Sequence, residues 1–246
     1  MNHPATRPLV YAHRGARADE PENTVRAFRR ALELGADGIE LDIRLTSDGH
    51  IVIIHDKEVD RTTDGTGPVA GFSLAEIREL DAGDGARIPT FEEAMEVCGD
   101  VVQIEIKAPE ALPVLAERDR RTPLPAPAML TSFSRTAVEE AARLLPHVPR
   151  GLITHHPGPD ALKDALDLKA TWLCTELKPE LTRDLVDRCH EAGVQVNAWP
   201  TKERAHLRRW IEIGADAVTT DHPGSIEAWL ADDDVAEAED GAVPAS

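Results

Sequence analysis

Residues 38–56 read G-I-E-L-D-I-R-L-T-S-D-G-H-I-V-I-I-H-D, and the plan of the chain can be worked outward from them. Ile39, Leu41, Ile43 and Leu45 alternate with Glu40, Asp42, Arg44 and Thr46, the period-two pattern of a β-strand. Glu40 and Asp42 therefore share one face. Two carboxylates on a strand face otherwise fit for a core are costly unless a cation or hydrogen-bond donors compensate them, and a metal ion is the simplest compensation. Ser47-Asp48-Gly49 signals a turn, and the apolar run from His50 to Ile54 ends at His55-Asp56. The stretch predicts a strand, a turn and a second strand that delivers a histidine. Its plain alternative is an acidic edge strand facing water beside a surface histidine, so the rest of the chain has to decide.

Upstream, Leu9 to Ala12 is a short apolar run that stops at His13-Arg14-Gly15. An amphipathic stripe at Val25, Phe28, Ala31 and Leu32, closed by Gly35 and capped by Asn23 or Thr24, predicts the first helix. Downstream, V-V-Q-I-E-I-K at 101–107 puts Gln103, Glu105 and Lys107 on one strand face. Further strand-like runs begin near Ala128, Gly151, Ala170, Val194 and Ala217, with helical patterns between them, one of them opened by Pro179. An echo supports a repeating plan: Ala31 to Ile39 is A-L-E-L-G-A-D-G-I and Trp210 to Val218 is W-I-E-I-G-A-D-A-V. Eight strands alternating with helices predict an α/β fold of the (β/α)8 TIM-barrel type, with a short turn-rich insertion at 57–90 after the second strand. An open doubly wound sheet is the runner-up, but no G-x-G-x-x-G follows the first strand. One barrel domain is expected over residues 1–231.

The chain has 246 residues, with 27 Lys plus Arg against 45 Asp plus Glu and a net charge of −18. That balance argues against a nucleic-acid surface or an electrostatic grip on anionic membrane. Asp232, Asp233, Asp234, Glu237, Glu239 and Asp240 sit in a tail at 232–246 that reads as acidic and disordered. No run has the length of a membrane span and none before the first strand reads as a secretory signal, so membrane insertion is not expected and the protein is expected in the cytoplasm. Cys98, Cys174 and Cys189 read as reduced core residues.

In a barrel the C-terminal strand ends converge on one mouth, and His13, Arg14, Glu40, Asp42, Glu105, Lys107, Phe133, Glu176, Trp199 and Asp221 lie at or near such ends. Glu40, Asp42 and Glu105 are oxygen ligands of the kind that Ca²⁺ and Mg²⁺ prefer, with Mn²⁺ also compatible. Arg14 offers a planar fork for phosphate oxygens and Lys107 a point charge. His13 and His55 can exchange protons as general acid and base. Phe133 and Trp199 are placed to wall a substrate pocket. His155-His156 follows the fifth strand-like run and could reach the mouth, with a loop role the favoured reading, and Arg61-Thr62 is assigned to shaping a loop. Together these groups describe metal-assisted cleavage of a phosphoester.

His-Arg-Gly at 13–15, Glu-Asn-Thr at 22–24, Glu-Leu-Asp at 40–42, His-Asp at 55–56, Glu-Ile-Lys at 105–107, Ser-Phe at 132–133, Trp199 and Thr-Asp-His-Pro at 220–223 form an ordered set. It resembles the glycerophosphodiester phosphodiesterase family from about Val10 to Leu230. The resemblance implies hydrolysis of small-molecule diesters such as glycerophosphocholine or glycerophosphoethanolamine to sn-glycerol 3-phosphate and an alcohol. It also implies one divalent cation on Glu40, Asp42 and Glu105, His13 and His55 as the acid–base pair, Arg14 and Lys107 as the phosphate grip, and Glu22 and Asn23 in an orienting role. The attacking oxygen is either the glycerol 2-hydroxyl, through a cyclic phosphate, or water. Trp199-Pro200-Thr201-Lys202 departs from the Thr-Val-Asn run common after the family's tryptophan, which bears on the alcohol released. A lysophospholipase-D-like activity and a phosphodiester-sensing module are the other readings, and the sequence leaves open whether the protein is a monomer or a homo-oligomer.

Overall fold

The computed structural model describes residues 7–226 and 228–230. The tail at 232–246 lies outside the described residues. In chain order the elements are β1 (Leu9–His13), α1 (Val25–Glu33), β2 (Gly38–Leu45), β3 (Ile51–Ile53), α2 (Leu74–Ile77), α3 (Phe91–Met95), β4 (Val102–Ile106), α4 (Ala111–Arg121), β5 (Met129–Ser132), α5 (Arg135–Leu144), β6 (Arg150–Thr154), α6 (Pro159–Asp167), β7 (Trp172–Glu176), α7 (Arg183–Glu191), β8 (Gln195–Trp199), α8 (Arg204–Ile213) and β9 (Ala217–Thr220). Helical residues follow at 223–226 and 228–230.

Eight strands pair in parallel in the order β1-β2-β4-β5-β6-β7-β8-β9, and β9 returns to β1, closing a (β/α)8 barrel. Closure removes sheet edges, so every strand has two neighbours to satisfy its backbone. β3 stands outside this circuit. It runs antiparallel to β2 in the register Ile43↔Ile53, Arg44↔Val52 and Leu45↔Ile51, and the Ile54 amide donates to the Asp42 carbonyl at 3.0 Å. The hairpin thus folds His55 back to the level of Asp42.

The alternation read from the sequence sorts side chains between two cores. Ile39, Leu41 and Ile43 of β2 and Val102, Ile104 and Ile106 of β4 pack outward with Phe28, Leu112 and Leu115 of the helices. A second outer cluster joins β7, β8 and β9 to α7 and α8 around Trp210, whose indole N–H donates to Thr201 Oγ1 at 2.8 Å. Inside the barrel, Tyr11, Met129, Trp172, Cys174 and Ala217 form an apolar plug. Polar groups bond one another directly across the same interior: Asn197 Nδ2 donates to Gln103 Oε1 at 2.7 Å, Gln103 Nε2 to Thr131 Oγ1 at 3.4 Å and Thr219 Oγ1 to Asn197 Oδ1 at 3.1 Å. Buried amides and hydroxyls that satisfy each other avoid the desolvation penalty of unpaired ones.

The helix expected to open at Pro179 begins instead at Arg183. Thr182 is its N-cap, accepting from the Leu185 amide, and Leu181 and Val186 on either side are both buried in the second outer cluster. That is a capped start with an apolar staple, and it outweighs the proline three residues earlier. Thr24 is the cap of α1, accepting from the Ala27 amide. The three cysteines are buried and free.

Gly15 is where the first strand turns toward the site. Its φ is +81°, and a Cβ there would stand 2.6 Å from the Ala27 carbonyl carbon. Gly49, in the β2–β3 turn, has φ +82° but open space around it. Gly15→Ala is therefore expected to destabilise the protein by ~2–4 kcal/mol, and Gly49→Ala by roughly 1 kcal/mol. Urea unfolding of the two variants checks this, and equal losses would contradict the steric account.

Candidate active site

The site begins with two residues in the left-handed backbone region that are not glycine, Arg14 at φ 56° and Asn23 at φ 57°. Such conformations persist where surrounding bonds over-determine them. Here the Asn23 amide donates to the Arg14 carbonyl at 2.9 Å, and the Arg14 amide donates to the Glu40 carbonyl at 2.9 Å and to Glu40 Oε2 at 3.1 Å. Asn23 Nδ2 donates to Asp42 Oδ2 at 2.8 Å. The loop between β1 and α1 is thus stitched onto the acidic face of β2.

Glu40, Asp42 and Glu105 are 2%, 0% and 7% exposed, and each offers an oxygen within 4.8 Å of the others. Register explains the meeting: Asp42 pairs with Glu105 across β2 and β4, and Glu40 pairs with His13 across β2 and β1. Lys107 Nζ lies 2.6 Å from Glu105 and 3.5 Å from Asp42, and Arg14 Nε lies 3.2 Å from Asp42. Burial and then the neighbouring Asp42 and Glu105 carboxylates push Glu40 well above the usual carboxylate range. Burial works against Asp42 as well, but Lys107 and Arg14 outweigh it and hold that group low. Two cations do not compensate three buried carboxylates, and it is Glu40 that is driven toward its neutral form. Asp42 Oδ1 is buried without a hydrogen bond. An all-oxygen set with an orphaned carboxylate oxygen fits a hard divalent cation.

His13 and His55 flank this cluster. His13 Nδ1 lies 2.6 Å from Asp221 and His55 Nδ1 lies 2.5 Å from Asp56, so each ring is oriented by a carboxylate and Nε2 is left for the cavity that both rings line. Burial, partly offset by Asp42 and Asp56, holds His55 below the ordinary imidazole value. The cavity measures about 300 Å³, and Arg14, Glu40, Glu105 and Lys107 also line it. Asp42 forms the covered floor. Glu22 and Asn23 stand behind the wall, Glu22 accepting from Arg14 Nη1 at 2.8 Å. Arg14 and Arg61 outweigh burial there and hold the Glu22 carboxyl down at about 2.

The opposite wall is aromatic. Phe133 stacks on His155 with centroids 4.8 Å apart, and Trp199 meets both rings edge-on at 6.0 and 5.4 Å. His155, assigned to a loop from sequence, therefore belongs to the cavity wall, with its Nδ1 2.7 Å from Glu176 at the end of β7. The signal was available: Gly151, Ile153 and His155 continue one strand face at period two. Pro200, the departure after Trp199, also lines the cavity.

Residues 13–225 match the model of the glycerophosphoryl diester phosphodiesterase family. A glycerophosphodiester phosphodiesterase of Caldanaerobacter subterraneus subsp. tengcongensis is 38% identical over 89% of this chain and 96% of its own length. A probable glycerophosphodiester phosphodiesterase 1 of Mycobacterium tuberculosis is 34% identical over 93% and 94%. Among solved structures, a phosphodiesterase of Oleispira antarctica in complex with the product sn-glycerol 3-phosphate superposes with a TM-score of 0.84 at 29% identity, covering 91% of this chain and 97% of that one. The chain belongs to the glycerophosphoryl diester phosphodiesterase family, and its enzyme class is phosphoric diester hydrolase.

Proposed function

We propose that the protein hydrolyses small water-soluble glycerophosphodiesters, glycerophosphocholine and glycerophosphoethanolamine among them, to sn-glycerol 3-phosphate and an alcohol. Glu40, Asp42 and Glu105 would hold one divalent cation, Ca²⁺ or Mg²⁺, with Mn²⁺ also compatible. The observation that carries this reading is the pairing of two carboxylate-oriented histidines with Glu40 and Glu105 in one cavity, with the buried Asp42 completing the acidic triad beside them. A bound cation supplies Lewis acidity toward a phosphoryl oxygen. Arg14 and Lys107 bring positive charge to the same cavity and hold the phosphate. His55, held below the ordinary imidazole value, receives the proton of the attacking oxygen, water or the glycerol 2-hydroxyl. His13, held by Asp221, gives a proton to the departing alcohol.

The aromatic wall of Phe133 and Trp199 faces the alcohol side of the cavity. Of the large apolar side chains exposed among the described residues, Phe133 stands at the cavity, while Leu9 opens β1 at the far end and Leu166 lies on α6. A lone exposed ring favours soluble head groups over lysolipids, which need a broader apolar approach. Among the described residues no helix is long and apolar enough to cross a membrane. Three buried, unpaired cysteines suit the reducing cytoplasm, and the same reading places the reaction there.

Release of sn-glycerol 3-phosphate from the two substrates, followed with and without a chelator and then with each divalent ion added back, tests the reading. Activity should vanish on chelation and return with the preferred ion, and His13→Ala or His55→Ala should lower kcat by ~10²–10⁴-fold. Absence of release with every ion would overturn it. The pH profile tests the assignment of the base. Because His55 titrates below the ordinary 6.5, the acid limb of kcat/KM should have its half-point below that value. Asp56→Asn removes a carboxylate that raises the ring and should move the limb further down. A limb above 6.5 would take His55 out of the base role.

A further inference from the structure

The insertion enters the site through one side chain. Arg61 Nε donates to Asp56 Oδ2 at 2.5 Å, while Nη1 and Nη2 donate to the two oxygens of Glu22 at 3.0 and 2.7 Å. The other oxygen of Asp56 holds His55 Nδ1, and Glu22 Oε1 holds Arg14 Nη1. One guanidinium therefore closes an unbroken chain from Arg14 through Glu22, Arg61 and Asp56 to His55. We infer that Arg61 is a positioning residue that fixes the Arg14 guanidinium and the His55 ring relative to each other. The inference rests on the functional reading of those two groups given above.

Exposed ion pairs are usually worth little, and the Arg61 side chain is 47% exposed. Its partners make the difference. Glu22 is 11% exposed, and the fork is satisfied on all three sides by two carboxylates, the bidentate geometry in which arginine is strongest. The backbone that presents it is pinned as well. Thr63 bonds the Val59 carbonyl through both its amide and its hydroxyl, Asp64 and Asp81 exchange two bonds, and Val59 is buried in the small apolar cluster beneath the insertion.

The His55 end depends on this support. Arg44 Nε holds the His55 carbonyl at 2.9 Å, which fixes the backbone and leaves the ring to Asp56. Without Arg61, Asp56 loses the partner that aims it, and Glu22 loses two of the donors that hold it against Arg14. A lysine keeps the charge but not the fork, so it cannot span both carboxylates in one plane. Misplacement of a reacting group by about 1 Å is enough to cost ~10²-fold in rate.

The test compares wild type, Arg61→Ala, Arg61→Lys, Glu22→Gln and the double variant Arg61→Ala/Glu22→Gln with glycerophosphocholine as substrate. In parallel, nitrogen-15 NMR of histidine-labelled protein reads the tautomer of the His55 ring, assigned with His55→Gln. Arg61→Ala should keep its fold, lose ~10–100-fold in kcat and raise KM, with free guanidinium restoring part of the rate and Arg61→Lys recovering little. Glu22→Gln should cost much less in the Arg61→Ala background than in wild type. The His55 ring should pass from one tautomer to a mixture. An unchanged His55 signature in Arg61→Ala, or additive losses in the double variant, would overturn the inference. If the alanine variant does not fold, Arg61→Lys gives the same NMR reading. Should wild type turn over no glycerophosphodiester while the His55 signature still responds to Arg61, the substrate reading fails and the positioning role stands.

Discussion

Three carboxylates withheld from water at one end of a closed barrel are the constraint to which the rest of the molecule answers. Like charges at this separation in a poorly solvated place repel strongly, and no packing of apolar side chains relieves them. The chain meets the demand with Lys107 just past the end of the strand that carries Glu105, Arg14 from the turn after β1 and the side-chain amide of Asn23. The remaining imbalance is what makes the place chemically useful, because it is a standing attraction for a doubly charged ion. A barrel suits this purpose. Its strands hold the acids in fixed register, so the cost of assembling them is met by the hydrogen-bonded ladder and the helical shell rather than by the site itself.

The hairpin β2–β3 adds what a parallel barrel alone cannot. The parallel strands bring Glu40, Asp42 and Glu105 to the mouth from within the ring, while the antiparallel return of β3 supplies a further position from outside the circuit, His55. The two histidines therefore reach the cavity by different routes, His13 from a strand of the barrel and His55 from a strand laid against it. The Asp221 carboxylate that orients His13 is 208 residues away in sequence, whereas Asp56 is its histidine's next neighbour. The same chemistry rests on a long-range contact on one side and a local one on the other.

This difference explains what could be read in advance. β2 and β4 were legible because their two faces differ, apolar toward the helices and polar or charged toward the axis, so that Glu40, Asp42, Glu105 and Lys107 could be placed on one side of a barrel from spacing alone. Phe133 and Trp199 followed from their positions at strand ends. The start of α7 was misread because proline and threonine signals stand three residues apart, and burial of Leu181 beside Val186, a tertiary fact, decides between them. His155 does lie in a bend just after β6, and its place on the cavity wall is set by contacts remote in sequence, with Glu176 21 residues on and with the rings of Phe133 and Trp199. Arg61 had no periodic pattern to betray it. Its meaning comes from Glu22, 39 residues earlier, and from a turn that carries no regular structure.

The insertion at 57–90 ends beside the strand it leaves: the Ile53 amide donates to the Pro89 carbonyl at 3.0 Å, and Val52 bridges Thr90. Within it Val59, Val69, Ile77 and Ala82 make a small core with Val52, Ile54 and Ile88, apart from the two clusters that hold the helices to the barrel. A segment with adjoining ends and a private core behaves as a cassette. A change in its length would leave the ring of strands shut, so one rim of the mouth can be altered without touching the acidic floor. The guanidinium at 61 is the contact that such a change has to carry with it.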